Sequence, residues 1–221
     1  MTKPNDSILV TPGSGATVGT HTIDGKEYQG FILVDDSGHI AQSLPTYSWW
    51  VPVAAAGASK LYADIFNGST GILEVRGLWA IPRSDTAVTA TLGIEIGLYR
   101  TSAVGTGGTV QTYNGGTGST GFHVITPFDT NNPSLSTGSG VSARAVPSGG
   151  ATISALYWAQ YIWTEETNAP ATAFSAFTNL LPTGLMAQRI TLNSSQGLLI
   201  KQGAIAGAGN LSFLAQLTFS T

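Results

Sequence analysis

The sequence predicts an all-β protein: an antiparallel, jelly-roll-like β-sandwich that carries an extended N-terminal β arm. Three observations point there. Charged residues make up only 10% of the 221-residue chain, against about 25% in an ordinary globular domain. Exposed helix faces usually carry many Glu, Lys and Arg, so this shortage of charge argues against a helical protein. Apolar residues recur at every second position in several runs, the period of a half-buried strand. The 28 glycines gather with Ser, Thr, Asn and Pro between those runs, where turns need them.

The elements follow in chain order. Residues 1–46 read as an extended arm or small β module. "SILVT" and "GFILV" are short apolar, strand-like runs, and "TPGSG" and "DDSGH" carry turn chemistry. In "THTIDGKEYQG", Asp24-Gly25 separates two extended pieces and predicts a hairpin. An isolated hairpin is marginal in water, so this segment is expected to lie against a neighbour or the rest of the chain. Residues 47–221 read as the sandwich body. Leu61, Ala63 and Ile65 alternate, as do Leu73 and Val75 with Leu78 following, and Leu92, Ile94, Ile96 and Leu98. "FHVITPF", "VSARAVP", "ATISALYWAQYIW", "LMAQRITLN", "GLLIKQGA" and "LSFLAQLTFS" complete eight or nine expected strands. Thr101–Gly121 is an aperiodic loop with a short hairpin expected around Val110 to Tyr113. Thr164–Gly184 is a long excursion, in which "SAFTNLL" suits one helical turn. Evenly spaced short strands with turn signals between them fit an antiparallel sandwich, and a jelly roll best among those.

Composition also limits function. The net charge is −3 and no basic cluster appears, which argues against nucleic-acid binding, since phosphates require gathered cations. With no cysteine, stability is expected from packing or assembly. "MTKPNDS" lacks the apolar core of a secretory signal. No apolar stretch reaches the about 20 residues that span a bilayer, so no membrane partner is expected. A surface poor in charge desolvates at low cost, which suits subunit contacts.

Catalytic chemistry is hard to find. His21, His39 and His123 show no metal-ligand spacing, and Asp35-Asp36 lacks an EF-hand frame. Asp129 to Asn132 reads as an Asx-rich turn. No catalytic residue, metal or cofactor is assigned, and a non-enzymatic protein is expected. Glu74 and Glu95 both sit in alternating strands, where they could line one sheet as a carboxylate pair; solvent-facing positions are the simpler reading. Five tryptophans raise a sugar-stacking alternative, with Trp158 and Trp163 of opposite parity in one strand.

The stretch "NDSILVTPGSGATVGTHTIDGKEYQGFILVDDSGHI" resembles the N-terminal segments of structural proteins of tailed-bacteriophage virions. "GLLIKQGAIAGAGNLSFLAQLTFST" is similar to the closing strands of jelly-roll virion proteins. The resemblance implies a capsid decoration (cement) protein: virion-located, bound to the major capsid protein, and a homo-oligomer, with a trimer expected. Ile8, Leu9, Val10, Tyr28, Phe31, Ile32, Leu33 and Val34 would then carry arm contacts. Trp49 and Trp50 would anchor the join of arm and body. The alternative is a receptor- or carbohydrate-binding module of a tail or head fibre, with glycan as partner.

Overall fold

The structure, a computed structural model, describes residues 18–23, 26–31, 45–83, 93–111, 125–127, 140–149, 151–163, 177–181 and 189–220. The chain divides into two units, Met1–Leu44 and Pro45–Thr221, two residues before the boundary that the sequence suggested. In the first unit, β1 (Val18–Ile23) pairs antiparallel with β2 (Lys26–Phe31), with Ile23 opposite Lys26. That is the hairpin expected around Asp24-Gly25.

The second unit is a β-sandwich of two antiparallel sheets. Its long strands are β3 (Thr46–Ala55), β4 (Leu61–Asn67), β5 (Ile72–Pro82), β6 (Gly93–Thr101), β10 (Ile153–Trp163), β13 (Gln196–Gln202) and β14 (Asn210–Ser220). Shorter pieces are β7 (Thr109–Val110), β8 (Thr126–Pro127), β9 (Val141–Ala145), β11 (Thr178–Asn179) and β12 (Ile190–Leu192). Sheet I runs β10-β6-β13-β4-β9-β7. Sheet II runs β11-β5-β14-β3-β8, with β12 also paired to β5.

Four of the pairs are nested. β6 pairs with β10, β5 with β12, β4 with β13 and β3 with β14, each pair enclosing the previous one in sequence. β13 pairs β6 as well, and β14 pairs β5 as well, which seals the nest into two sheets. The segment between β6 and β10 supplies β7 and β9 beside β4, and β8 beside β3. It therefore lies along the outer edge of β4 and beside Tyr47 and Ser48 of β3, and among the described residues β10 is the terminal strand at the opposite end of sheet I.

The core lies between the sheets, and most of the alternating residues form it; Leu61 does not, because a register shift between β4 and β13 pairs it with Lys201 and places Tyr62 in the core instead. Leu73, Val75 and Leu78 of β5 are fully buried, as are Ile94, Ile96 and Leu98 of β6. Leu198 and Ile200 face them from β13, and Phe213, Ala215 and Leu217 from β14. Burying each large aliphatic side chain contributes about 1.5–3 kcal/mol. The Tyr62 and Phe213 rings meet at 5.1 Å and join the two layers. Leu92 lies outside the described residues.

One further local expectation fails. The described end of "SAFTNLL" is not helical: Thr178–Asn179 is β11, paired to Ala80 and Trp79. An edge of β5 offered backbone partners that one unsupported helical turn could not match. Of the hairpin expected around Val110 to Tyr113, residues 112 and 113 lie outside the described residues; Thr109 and Val110 pair with Ala145 and Arg144 of β9.

Candidate functional site

Among the residues expected to make contacts, Ile8, Leu9, Val10, Ile32, Leu33 and Val34 lie outside the described residues. Tyr28 and Phe31 fall in β2, opposite His21 and Val18. Trp49 and Trp50 point to opposite sides of β3. Trp49 is fully buried in the core, and its indole N–H donates to Gln111 Oε1 at 3.4 Å. It is a packing residue of the body. Trp50 turns outward and is half-buried.

Trp50 begins an apolar row on the outer face of sheet II. Register places it beside Leu214 of β14, and Leu214 beside Trp79 of β5. The Phe177 ring meets Trp50 edge-on at 6.3 Å and is itself 54% exposed. The Trp79 ring lies over Gly77, where a Cβ would overlap it, and the Gln216 amide oxygen borders the same spot. Sequence reading counted Trp79 among the five tryptophans of the sugar-stacking alternative but missed Leu214, because only strand pairing brings both beside Trp50. The other half of this face is polar: Glu74 accepts from Arg76 at 3.0 Å and lies 3.6 Å from Arg189.

β10 forms the second surface. Its inner edge pairs with β6, with Trp158 opposite Leu98, Tyr161 opposite Glu95 and Ile162 opposite Ile94. Ile162 is buried, while Ile153, Leu156, Trp158 and Tyr161 are large apolar residues left open, Tyr161 by 67%. Among the described residues no strand pairs with the other edge of β10. No charged residue occurs between Arg144 and Glu165. The Arg100 guanidinium sits 4.6 Å over the Tyr157 ring, and burial lowers its pKa from the usual arginine value. Trp158 and Tyr161 lie on opposite faces of the strand, so they do not form one stacking platform. Trp163 pairs opposite Gly93.

The carboxylates do not form a catalytic pair. Glu74 belongs to β5 in sheet II and Glu95 to β6 in sheet I, both pointing away from the core. Two layers separate them, so the shared sheet that the sequence allowed is not formed, and no sugar ring could touch both. Equal parity in two strands does not tell which sheet each strand joins. Among the described residues, no three His, Asp or Glu gather in a metal-binding group. No helix among them is long and apolar enough to cross a membrane.

One carboxylate is buried. Asp64 of β4 is 1% exposed and accepts the Gly105 N–H at 2.6 Å through Oδ2. Its Oδ1 has no hydrogen-bond partner among the described residues. Burial raises its pKa, which the Gly105 N–H and the Arg144 charge partly oppose. Arg144 also donates to Gly107 O at 2.9 Å. A Cβ on Gly105 would come 2.9 Å from Asp64 Oδ2, and Gly107 has a left-handed φ of 65°. Glycine suits both positions. Asp64 and Arg144 thus fasten the segment after β6 to the outer side of sheet I, which is a structural role.

No protein-family model matches the chain, and neither curated proteins nor solved structures yield a match.

Proposed function

We propose that this chain is a structural protein of a tailed-bacteriophage virion, a capsid decoration protein that binds the major capsid protein as a homo-oligomer and stabilises the head. The observation that carries the reading is the pair of uncharged apolar surfaces on a rigid β body: the Trp50–Leu214–Trp79 row and the β10 edge. Such surfaces lose little on desolvation and suit permanent subunit contacts. The nested strand order supports a jelly roll. Read as 3-14-5-12 and 4-13-6-10, it is a long hairpin folded back on itself, an architecture used by viral capsid and lectin domains. The arm supports the reading through its resemblance to virion segments. An extended arm adds main-chain hydrogen bonds across an interface, and a symmetric oligomer, with a trimer expected, multiplies weak contacts into tight attachment.

Immunogold electron microscopy of particles from a lysate, with antibody against this chain, tests the proposal. Label spread over icosahedral heads is the expected result. Label confined to a tail tip, or absent from particles, overturns it. The fibre-tip alternative is favoured by the Trp79 ring and the Gln216 amide meeting over Gly77, a stacking surface beside a hydrogen-bonding group. It predicts host-glycan binding that Trp79→Ala abolishes.

A further inference from the structure

We infer that β10 is a self-pairing edge: two copies of this chain align their β10 strands antiparallel about a two-fold axis, joining two sheets I into one continuous sheet. β10 pairing does not depend on the virion reading, but it admits the trimer expected there only as half of a six-chain assembly.

A terminal strand exposes a row of N–H and C=O groups that template another strand. Natural edges are usually blunted by Lys, Pro, short length or a covering segment. Among the described residues β10 has none of these. It is 11 residues long and contains neither charge nor proline. Elsewhere β9 lies along β4, β8 lies beside Tyr47 and Ser48 of β3, and β11 and β12 lie beside parts of β5. Among the described residues, β10 is the long strand whose outer edge has no strand partner at all.

The occupant follows from charge and symmetry. Near a two-fold axis a strand meets its own sequence, so any charge would face a like charge. The span between Arg144 and Glu165 contains none. Antiparallel self-pairing also keeps inward residues inward in both copies, because partners across such a ladder share a face. Leu156 and Tyr161, 54% and 67% exposed, then pack along the seam on the outer side. The two pairing irregularities with β6 lie at Ile153/Ala155 and Leu156/Trp158, so Trp158–Trp163 supplies the regular run. Growth stops at two copies, because the far end of sheet I is β7, only two residues long. The contact is isologous and closed.

The test is the mass of the full chain by light scattering or sedimentation across a concentration series. The expected result is an even-numbered assembly: a dimer, or a hexamer in which β10 joins two of the trimers expected of the virion protein. Leu156→Lys with Tyr161→Lys should halve that mass while the far-UV spectrum and thermal midpoint stay in place. A native chain that is monomeric or odd-numbered overturns the inference, as does an unchanged mass in a folded double variant. Should that variant fail to fold, single cysteines decide, since the native chain has none. Cysteine placed singly at Leu156, Trp158 or Tyr161 should give an intermolecular disulfide from at least one position, and Val53→Cys on β3 should give none. Equal cross-linking from β3 and β10 overturns the pairing.

Discussion

Asp64 shows how one side chain couples pH to a loop. Its carboxyl is buried, with one oxygen bonded to the Gly105 N–H and the other without a partner among the described residues. Desolvation dominates and raises its pKa above the ordinary carboxyl value. Below about 3.9, where an unfolded aspartate titrates, both states hold the proton and the native state keeps the full benefit. As pH rises, the unfolded chain ionises first, and stability falls until the folded carboxyl has ionised too. Urea midpoints for the native chain should therefore decline across that window. Asp64→Asn keeps an acceptor for Gly105 but has no proton to lose, so its profile should lack this decline. An identical slope in both proteins would remove Asp64 as the source. Nothing in "KLYADIFN" marks this residue, since its outward parity predicts an exposed carboxylate. Burial comes from the segment 102–108 lying over it, which periodicity does not record.

Elements are held by buried amides as well as by ladders. Gln202, at the end of β13, is fully buried. Its Oε1 accepts the Tyr62 O–H at 2.7 Å and the Gly57 N–H at 2.9 Å, and its amide N–H donates to Ile205 O at 3.0 Å. One side chain thus ties β4, the β3–β4 turn and the β13–β14 turn. Gln202→Leu fills similar volume but leaves these groups without partners, at about 1–3 kcal/mol for each buried group. A chemical denaturation midpoint near that of the native chain would contradict this. Much at this scale was legible in the sequence. Leu73, Val75, Ile94, Ile96 and Leu98 announce buried faces by alternation, and all of them are buried. Gln202 was not legible, because its three partners come from separate turns. Nor was the Trp50–Leu214–Trp79 row, which exists only once β3, β14 and β5 are adjacent. Period-two patterning fixes which side a residue takes and leaves open which strand stands next to it.

The whole body depends on distant pairings. Its innermost pair, β6 with β10, already spans a long insertion, and its outermost pair joins the first and last strands of the unit. Closing such contacts costs loop entropy before packing repays it. Refolding followed by tryptophan fluorescence, with Trp49 as a core reporter, should be slow, in the millisecond-to-second range or beyond. A microsecond main phase would contradict the nested order as the rate-limiting feature.

The place of β14 has a consequence during synthesis. It comes after every other described strand of the body in chain order, yet it stands between β3 and β5 in the middle of its sheet. While a ribosome is still adding the residues before it, β3 and β5 have no neighbour to bridge them, and one wall of the core is open. The body therefore cannot close stepwise from its first strand. It waits for β14, and until then the nascent chain depends on whatever shields apolar strands in the cell that makes it.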